Sequence, residues 1–453
     1  MIETVNPVTG KCVQQFTEWS DEEVESVLVK ADRAAGTWAR TPFATRAAVL
    51  RKAAAVLRDG ARGYAELITL EMGKPIRESL GEVEKCALGC AFYADHGAQL
   101  LADEPVASDA TRSLIAYQPL GLVLAVMPWN FPFWQVFRFA APALVAGNVG
   151  LVKLASNVPQ CSLAIEEVWA KAGAPPGVFQ CLLVSAGRVE PLIGDSRVRA
   201  VTLTGSETAG RKVAASAGAH LKKSVLELGG SDAFVVLADA DLDLAARIGV
   251  ASRFLNSGQS CIAAKRFIVV DDVADAFVER LVTGAKALSV GDPMREETMI
   301  GPLARNDLRE ALQHQVDDAA GKGARVLIGG TPLPGPGYFY PATVLEGVQP
   351  NMRAYREELF GPVAIIIHAR DEADALRIAN DSPYGLGASI WSRDTARAEA
   401  FARCVECGSA FVNGLVKSDP RLPFGGIKAS GYGRELSAHG IREFVNIKTL
   451  WVR

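Results

Sequence analysis

The chain of 453 residues is 49% hydrophobic and carries a formal net charge of -3 at pH 7. This length suits two or three domains, whose cores need neither disulfides nor structural metals. The near-neutral charge offers no basic surface for nucleic acid or an anionic membrane. The N-terminus has no signal-peptide pattern, and the apolar runs stop short of the roughly 20 residues that span a bilayer. We therefore expect a cytoplasmic protein without nucleic-acid or membrane partners.

The first part of the chain is typical of helices, and the next part alternates. From about Ser20 to Leu101, apolar residues recur three and four positions apart in a sequence rich in Ala, Leu, Glu and Arg. Short apolar runs and helical segments then alternate, which predicts a parallel sheet covered by helices on both faces. The predicted strands are 121–126, 149–153, 178–184 and 200–204, and the predicted helices are 134–147, 159–172 and 207–219.

A second alternating block runs from Ala233 to about Phe411. A cleft between two such α/β units is the expected ligand site. The alternating apolar run Phe444–Val452 predicts a terminal strand that needs an edge to pair with, and this favours an oligomer. In the second block the predicted strands are 233–237, 266–270 and 363–368, and the predicted helices are 241–251 and 273–288.

Eight cysteines are spread along the chain without a secretory context, so reduced thiols are expected. Cys404 and Cys407 form a C-x-x-C pair, and Cys86 and Cys90 lie four residues apart. Such pairs can hold zinc or act in redox chemistry, but no His or Cys partners lie at ligand spacing. We therefore expect these cysteines to pack as small apolar residues on helix faces, and we predict no metal site.

Two stretches carry a candidate nucleophile and a candidate base. Cys261 follows a polar turn that contains glycine, which can expose a thiol at a cleft; the alternative is a buried structural cysteine. Glu227 ends a probable strand before a Gly-Gly turn. Its apolar neighbours suggest burial, which would raise its pKa towards that of a useful base, whereas the alternative is a solvated surface glutamate.

Two further stretches carry an amide donor and a phosphate-binding turn. Asn130 lies between Pro128 and Pro132, where it can donate a hydrogen bond or merely cap the helix that follows. The run 204–210 follows a strand and opens a helix, whose backbone N–H groups can cradle a phosphate. It is not a G-x-G-x-x-G motif, so alone it is a weak dinucleotide signal. Together, thiol, base, amide and cradle are the groups that covalent aldehyde oxidation requires.

The four stretches resemble, in order and spacing, the signature segments of the aldehyde dehydrogenase superfamily, and the likeness extends from 6–10 to the terminal strand. The resemblance implies an α/β fold with a Rossmann-like cofactor domain, an α/β catalytic domain and a small β oligomerisation element. It also implies a homodimer or homotetramer. The implied boundaries are 1–105 and 123–227 for the cofactor domain, 228–425 for the catalytic domain, and 106–122 and 436–453 for the oligomerisation element.

The resemblance also implies catalytic roles. Cys261 would be the nucleophile that attacks an aldehyde, and Asn130 with the Cys261 backbone N–H would form the oxyanion hole. After hydride transfer to NAD or NADP, water activated by Glu227 would hydrolyse the thioester. None of the five histidines falls in these stretches. The thiol would then be activated by the cofactor's charge, backbone dipoles or Glu227.

The same resemblance implies a set of cofactor-binding residues. Lys153 would hold the adenosine ribose, and Ser156 stands where members strict for NAD often have a glutamate. Without that carboxylate a 2′-phosphate is not repelled, so both NAD and NADP fit. Gly205 and Ser206 would lie along the pyrophosphate, Glu358 would hold the nicotinamide ribose, and Phe360 would pack near the nicotinamide. The remaining implied cofactor contacts are Trp129 and Leu228.

Arg138 and Ser418 are the predicted substrate-binding residues. They lie in segments that resemble those of bacterial succinate-semialdehyde dehydrogenases. Arg138 would clamp a substrate carboxylate, or else form a structural salt bridge. The chain departs from some relatives at Leu255, where they have a second arginine. Succinate semialdehyde is the first expectation, and another aliphatic or aromatic aldehyde is the alternative. A CoA-acylating enzyme would not need Glu227. A non-catalytic binding protein would be expected to have lost Cys261, Asn130 or Glu227.

Overall fold

The computed structural model describes residues 2–453. The helices are α1 Asp21–Trp38, α2 Phe43–Asp59, α3 Ala61–Met72, α4 Ile76–Leu100, α5 Pro132–Val145, α6 Pro159–Lys171, α7 Val189–Gly194, α8 Glu207–Ala219, α9 Leu242–Phe254, α10 Ala274–Lys286, α11 Asn306–Gly321, α12 Arg353–Arg356, α13 Glu372–Asn380, α14 Thr395–Cys404 and α15 Ser437–Ile441. The strands are β1 Ile2–Asn6, β2 Lys11–Phe16, β3 Glu104–Pro105, β4 Arg112–Pro119, β5 Leu122–Met127, β6 Val149–Leu154, β7 Phe179–Cys181, β8 Val198–Thr204, β9 Lys223–Glu227, β10 Asp232–Val236, β11 Ala264–Val270, β12 Arg325–Ile328, β13 Thr343–Glu346, β14 Val363–Ala369, β15 Tyr384–Gly385, β16 Gly387–Trp391, β17 Ser409–Val412, β18 Ile427–Lys428, β19 Gly431–Tyr432 and β20 Val445–Val452.

The first α/β unit is built on a six-stranded sheet in the order β19-β9-β8-β5-β6-β7. The strands from β9 to β7 are parallel, and β19 joins β9 in antiparallel register. The chain runs outward from β5 through β6 to β7 and then returns to β8, on the other side of β5. Such a reversal opens a crevice at the carboxyl ends of β5 and β8, where open parallel sheets bind ligands.

The central strands of this sheet are buried on both faces. Strand β6 is buried along its whole length, and β5 and β8 are buried at all but one position. Continuous apolar runs are typical of parallel strands that helices cover on both sides. Lys153 is the charged residue of β6, and Glu227 is the last residue of β9. Charges in such strands point to a function at the strand ends.

The second α/β unit contains a seven-stranded sheet in the order β12-β13-β14-β11-β10-β16-β17. All neighbouring strands are parallel except the β12–β13 pair. Separate apolar clusters pack on its two faces. Cys261 lies just before β11 of this sheet, yet its side chain packs against the core of the first unit. The residue therefore sits where the two units meet.

A three-stranded sheet, β20-β4-β3, stands apart from both units. Strand β20 pairs with β4 in antiparallel register over all eight residues, from Val445 opposite Pro119 to Val452 opposite Arg112. Its other edge has no partner strand within residues 2–453, and its large side chains are exposed. Those exposed apolar residues are Ile447, Leu450, Trp451 and Val452.

The α/β fold with two mainly parallel sheets confirms the fold class expected from the sequence. Helix α8 has the predicted bounds, but the strand predicted at 178–184 is shorter, because only Phe179–Cys181 pair with β6. The domain boundaries stay predictions. No helix in the described range 2–453 is both long and apolar enough to cross a bilayer. In the same range no cluster of His, Cys, Asp and Glu is arranged to hold a metal ion.

Candidate active site

Cys261 follows a tight turn with left-handed backbone. Asn256, Ser257 and Gly258 have φ values of 54°, 54° and 75°. Left-handed backbone is unfavourable for residues other than glycine, and it persists only where the surroundings enforce it. A Cβ on Gly258 would lie 2.2 Å from the carbonyl oxygen of Gly361. The turn before the thiol is therefore held tightly against a loop of the second unit.

Two buried cations fix this turn. Arg253 is fully buried, and its Nη2 donates to the carbonyl oxygen of Gly258 over 2.8 Å. Lys265 Nζ donates to the carbonyl oxygens of Cys261 over 2.7 Å and Ser260 over 2.8 Å. Hydrogen bonds from charged donors are the stronger ones, and in a buried site they leave the backbone little freedom. The direction of the Cys261 side chain is thus preset.

The Cys261 thiol is partly exposed, but its surroundings disfavour the thiolate. Burial raises its pKa to about 12, and the negative charges of Glu358 and Asp232 add to the effect. The positive charges of Lys265 and Arg138 oppose it. At neutral pH the thiol of the unliganded chain is therefore protonated. A nucleophilic role requires an added positive charge or a base near it.

Asn130 contacts the nucleophile turn directly. Its Nδ2 donates to the carbonyl oxygen of Gln259 over 3.1 Å, and its backbone carbonyl oxygen accepts from Asn256 Nδ2 over 2.8 Å. One N–H of the amide is engaged in this way, and a primary amide has two. The alternative role as a helix cap is wrong, because the first-turn amides of α5 donate instead to Glu82.

Glu227 is a buried carboxyl group at the end of β9. It is 2% exposed, and its Oε1 has no hydrogen-bond partner within residues 2–453. Burial raises its pKa well above the usual range, and the nearby Glu435 adds to the effect, while Arg138 and Arg434 oppose it. The neutral form of this carboxyl is therefore favoured relative to that of an exposed glutamate. A buried, unpartnered carboxyl oxygen is available to a reacting molecule.

Arg138 is 3% exposed and forms an ion pair with Glu435, whose Oε2 lies 2.5 Å from Nε. Its Nη2 donates to Thr204 Oγ1 over 3.4 Å, and the guanidinium lies 4.7 Å from the centre of the Phe424 ring. The salt bridge weighed from the sequence is therefore present. Nη1 has no acceptor within the described residues.

Ser418 lies at the meeting point of two other side chains. Its Oγ accepts from Lys85 Nζ over 2.7 Å and from Trp134 Nε1 over 3.1 Å. Lys85 Nζ also lies 4.5 Å from the centre of the Trp134 ring. Burial, with a contribution from Arg138, lowers the pKa of Lys85 to about 8. A polar cluster thus stands beside Arg138.

Lys153 places an ammonium group at the carboxyl end of β6. The residue is 7% exposed, and it forms no ion pair or hydrogen bond with another side chain in the described part of the chain. Burial lowers its pKa, and Glu18 opposes this effect. Ser156, three residues later, is exposed. A buried ammonium without a partner fits the hydroxyl and phosphate oxygens of a nucleotide ribose.

The N-terminus of α8 follows β8 in the crevice of the first sheet. Gly205 N donates to the carbonyl oxygen of Glu227 over 3.0 Å, and Ser206 Oγ caps the helix by accepting an amide over 3.3 Å. A Cβ on Gly210 would lie 2.6 Å from the side chain of Leu228, so a larger residue in α8 would force that side chain to move. The first-turn amides and the helix dipole suit a pyrophosphate.

A loop of the second unit, between α12 and β14, closes over this crevice. Phe360 meets Trp129 edge to face, with ring centres 5.7 Å apart. Glu358 Oε1 accepts from Gly230 N over 3.0 Å and lies 3.2 Å from Lys265 Nζ. Lys265 therefore joins this loop to the backbone of the nucleophile. Glu358 and the Cys261 backbone are thus held in one network through Lys265.

The sequence matches the profile of the aldehyde dehydrogenase family over residues 1–450. The chain belongs to this family. It is 53% identical over 451 residues to a probable NADP-dependent succinate-semialdehyde dehydrogenase of Synechocystis, covering 100% of this chain and 99% of that one. It is 50% identical over 454 residues to succinate-semialdehyde dehydrogenase [NADP(+)] 1 of Mycobacterium tuberculosis, with the same coverage.

Solved structures of aldehyde dehydrogenases share the whole fold. Succinic semialdehyde dehydrogenase of Streptococcus pyogenes, in complex with NADP+, is similar with a TM-score of 0.98 and 39% identity, covering 100% of both chains. Lactaldehyde dehydrogenase of Escherichia coli has a TM-score of 0.96 and 33% identity, covering 100% of this chain and 95% of that one. The recognition of the family from the sequence is confirmed.

Leu255, where the sequence departs from some relatives, borders a cavity that Cys261 does not line. Leu255 is 41% exposed and borders a cavity of about 1070 Å³ between α9 and α10. Glu78 and Met299 also line this cavity, whereas Cys261 does not. Leu255 therefore places an apolar group where some aldehyde dehydrogenases have an arginine.

Several charged residues that hold the site in place were not predicted from the sequence. Arg253 and Lys265 stand in mainly apolar segments, which is a signal that could have found them. Lys85 lies among other charges on α4, and Glu435 lies in a loop. No local sequence pattern marks Lys85 or Glu435 as part of the site, because their partners Ser418 and Arg138 are far away in the sequence.

Proposed function

We propose that this aldehyde dehydrogenase oxidises succinate semialdehyde to succinate with NADP, and that Cys261 is its nucleophile. The observation that carries the proposal is that the Asn130 amide contacts the Cys261 turn, while Arg138 acts electrostatically on both the Cys261 thiol and the buried Glu227. The roles of these residues were inferred from the resemblance, and the geometry supports them.

In the first step, the Cys261 thiol gives up its proton, to solvent or to Glu227, and the sulfur attacks the aldehyde carbon. The negative charge that develops on the former carbonyl oxygen is stabilised by the free N–H of Asn130 and the backbone N–H of Cys261. Loss of one such donor typically reduces kcat by about 10²- to 10³-fold. Lys265 and Arg253 hold the turn, so that little reorganisation accompanies the attack.

A bound nicotinamide dinucleotide would supply the hydride acceptor and a positive charge near the thiol. Lys153 would hold the adenosine ribose, and Gly205 and Ser206 at the start of α8 would lie along the pyrophosphate. Glu358 would hold the second ribose, with Phe360 beside the nicotinamide. The exposed Ser156 leaves room for a 2′-phosphate, and relatives named as NADP-dependent at 50–53% identity support NADP. Trp129 and Leu228 would complete the binding surface.

The thiohemiacetal on Cys261 would lose hydride to the bound dinucleotide and so become a thioester. Glu227 would then remove a proton from the water that hydrolyses this thioester. Burial raises the pKa of this carboxyl, so it holds a proton taken from water more tightly than an exposed glutamate would. A base with a raised pKa is effective near neutral pH. The presence of this carboxyl favours transfer of the acyl group to water rather than to CoA.

A kinetic panel tests the substrate and the cofactor. Succinate semialdehyde, glutarate semialdehyde, butanal and benzaldehyde are each oxidised with NAD and with NADP, with and without CoA. We expect the highest kcat/KM for succinate semialdehyde with NADP, and no acyl-CoA. A higher kcat/KM for butanal or benzaldehyde would favour the alternative of a less polar aldehyde, which the pairing of Arg138 with Glu435 supports.

We also propose a homo-oligomer, a dimer or a tetramer, in which a second copy covers β20. The strand is an edge strand with exposed Ile447, Leu450 and Trp451, and such edges are prone to pairing. Light scattering after size exclusion would give the mass. Trp451→Lys should weaken the assembly, and a monomeric wild-type chain would contradict the proposal.

A further inference from the structure

Three side chains from distant parts of the chain meet beside Arg138. Lys85 comes from α4, Trp134 from α5, and Ser418 from the loop that follows β17. Lys85 Nζ donates to Ser418 Oγ over 2.7 Å and lies 4.5 Å from the centre of the Trp134 ring. Trp134 and Arg138 are four residues apart on α5, which places them on one face of that helix.

The hydroxyl group of Ser418 has a defined direction. Its oxygen accepts from both Lys85 and Trp134. A serine hydroxyl has two acceptor positions and one donor hydrogen. Since both acceptor positions are filled, the hydrogen is what the group can offer to a further molecule. The cluster therefore presents an O–H donor next to an ammonium group, which together suit a carboxylate.

The positive charge of Lys85 is not neutralised by its neighbours. Glu82 forms a buried ion pair with Lys74, and Asp419 lies 2.6 Å from Arg421. Lys85 has no carboxylate within ion-pair distance among residues 2–453. Lys85 is half-buried, and a cation that is partly withdrawn from water and has no counter-ion gains from a ligand that supplies the opposite charge.

Arg138 differs from Lys85 in this respect. Its charge is matched by Glu435 at 2.5 Å. A carboxylate that enters the cleft would gain less from the neutralised pair than from the unpaired ammonium. Leu255 adds no charge and lies at another cavity. Lys85 is thus the cation that remains for the far end of an acidic substrate.

We propose that Lys85, together with Ser418 and Trp134, binds the terminal carboxylate of the substrate and sets the preference for a semialdehyde that carries one. The inference rests on the proposed function, because it concerns the substrate of the same site. Trp134 fixes the ammonium by contact with its ring, which adds to binding where water is displaced. The class of ligand is an aliphatic aldehyde with a carboxylate at its other end.

The charged and titratable groups that face Lys85 are Arg138 of α5, Glu82 and Cys86 of its own helix, and Asp419. Burial and Arg138 lower its pKa to about 8, and the other groups oppose this. Above this pH the ammonium loses its proton and its attraction for a carboxylate. Oxidation of succinate semialdehyde should therefore weaken above about pH 8 relative to oxidation of butanal.

The test is Lys85→Met, measured with succinate semialdehyde and with butanal. We expect kcat/KM for succinate semialdehyde to fall by roughly 10- to 100-fold, mainly through KM, since one charged hydrogen-bond partner is lost. The kcat/KM for butanal should stay within about twofold. Lys417→Met is the matched control, because it removes the same charge at an exposed position next to Ser418.

Lys85→Arg tests whether the loss in Lys85→Met comes from the missing charge or from a change in structure. It should keep the preference for succinate semialdehyde and move the decline to higher pH, because arginine stays charged. Equal losses with both aldehydes in Lys85→Met, or no loss, would overturn the inference. If the wild-type enzyme itself does not prefer succinate semialdehyde over butanal, the proposed substrate fails. If it does and Lys85→Met keeps that preference, only the role of Lys85 fails.

Discussion

Arg138 and Glu435 form a buried ion pair, with 2.5 Å between Nε and Oε2 and side-chain exposures of 2% and 5%. The pair adjoins the proposed base, because Glu435 raises the pKa of Glu227 while Arg138 lowers it. The two charges therefore balance each other where the thioester would be hydrolysed. Loss of either would change both the stability of the chain and the ionisation of Glu227.

The first prediction concerns this pair. Arg138→Met should destabilise the fold by about 3–5 kcal/mol, because it leaves the carboxyl of Glu435 buried without its cation. Adding Glu435→Gln should recover a large part of the loss. Urea denaturation gives the free energies of unfolding.

The exposed ion pair Arg51–Asp95, with N and O atoms 2.9 Å apart, is the matched control. Arg51→Met should change the free energy of unfolding by less than about 1 kcal/mol. If Arg138→Met changes the free energy of unfolding as little as Arg51→Met does, the buried pair does not stabilise the fold.

The second prediction concerns the pH dependence of stability. Glu78 accepts the backbone N–H of Asn256 over 2.6 Å, and burial raises its pKa from 4.5 to about 7. The folded state thus holds the proton more tightly than the unfolded state. The stabilisation is complete below the unfolded pKa of 4.5 and is lost as pH rises through about 7, by up to about 3 kcal/mol.

Glu78→Gln should flatten this part of the pH profile, because a neutral amide accepts the same hydrogen bond without titrating. The measurement is the melting temperature at a series of pH values. Glu84→Gln, at an exposed position on the same helix, is the control. A profile for Glu78→Gln that keeps the slope of the wild type would exclude Glu78 as its source.

The third prediction concerns the cofactor. Ser156→Glu would place a carboxylate near the proposed position of the 2′-phosphate. Repulsion should lower kcat/KM for NADP by about tenfold or more relative to NAD. The activity with NAD in the same variant is the internal control for folding. An unchanged ratio of NADP to NAD activity would show that Ser156 does not face the 2′-phosphate.

Structural features were predicted correctly where they depend on residues close together in the sequence. Helix α8 begins after a strand and a Thr-Gly-Ser turn, and its predicted bounds match the structure. The burial of Glu227 followed from its apolar neighbours. Both features depend on residues within a few positions of each other, which periodicity and turn chemistry describe well.

Features that depend on distant residues were missed. The cap of α5 is Glu82, some fifty residues before that helix, rather than the adjacent Asn130. The partner of Lys85 is Ser418, and that of Arg138 is Glu435. Which charges meet is decided by the packing of α4, α5 and the C-terminal loops, and no local pattern encodes it.

The fourth prediction is the most direct test of the central claim, covalent oxidation on Cys261. In Glu227→Gln, succinate semialdehyde and NADP should give a burst of NADPH close to one per active site, followed by slow turnover. Mass spectrometry of the quenched enzyme should find the acyl group on the peptide that contains Cys261, and Cys261→Ala should show neither burst nor adduct. Undiminished steady-state turnover in Glu227→Gln would contradict the role of the base, and oxidation retained by Cys261→Ala would contradict the whole mechanism.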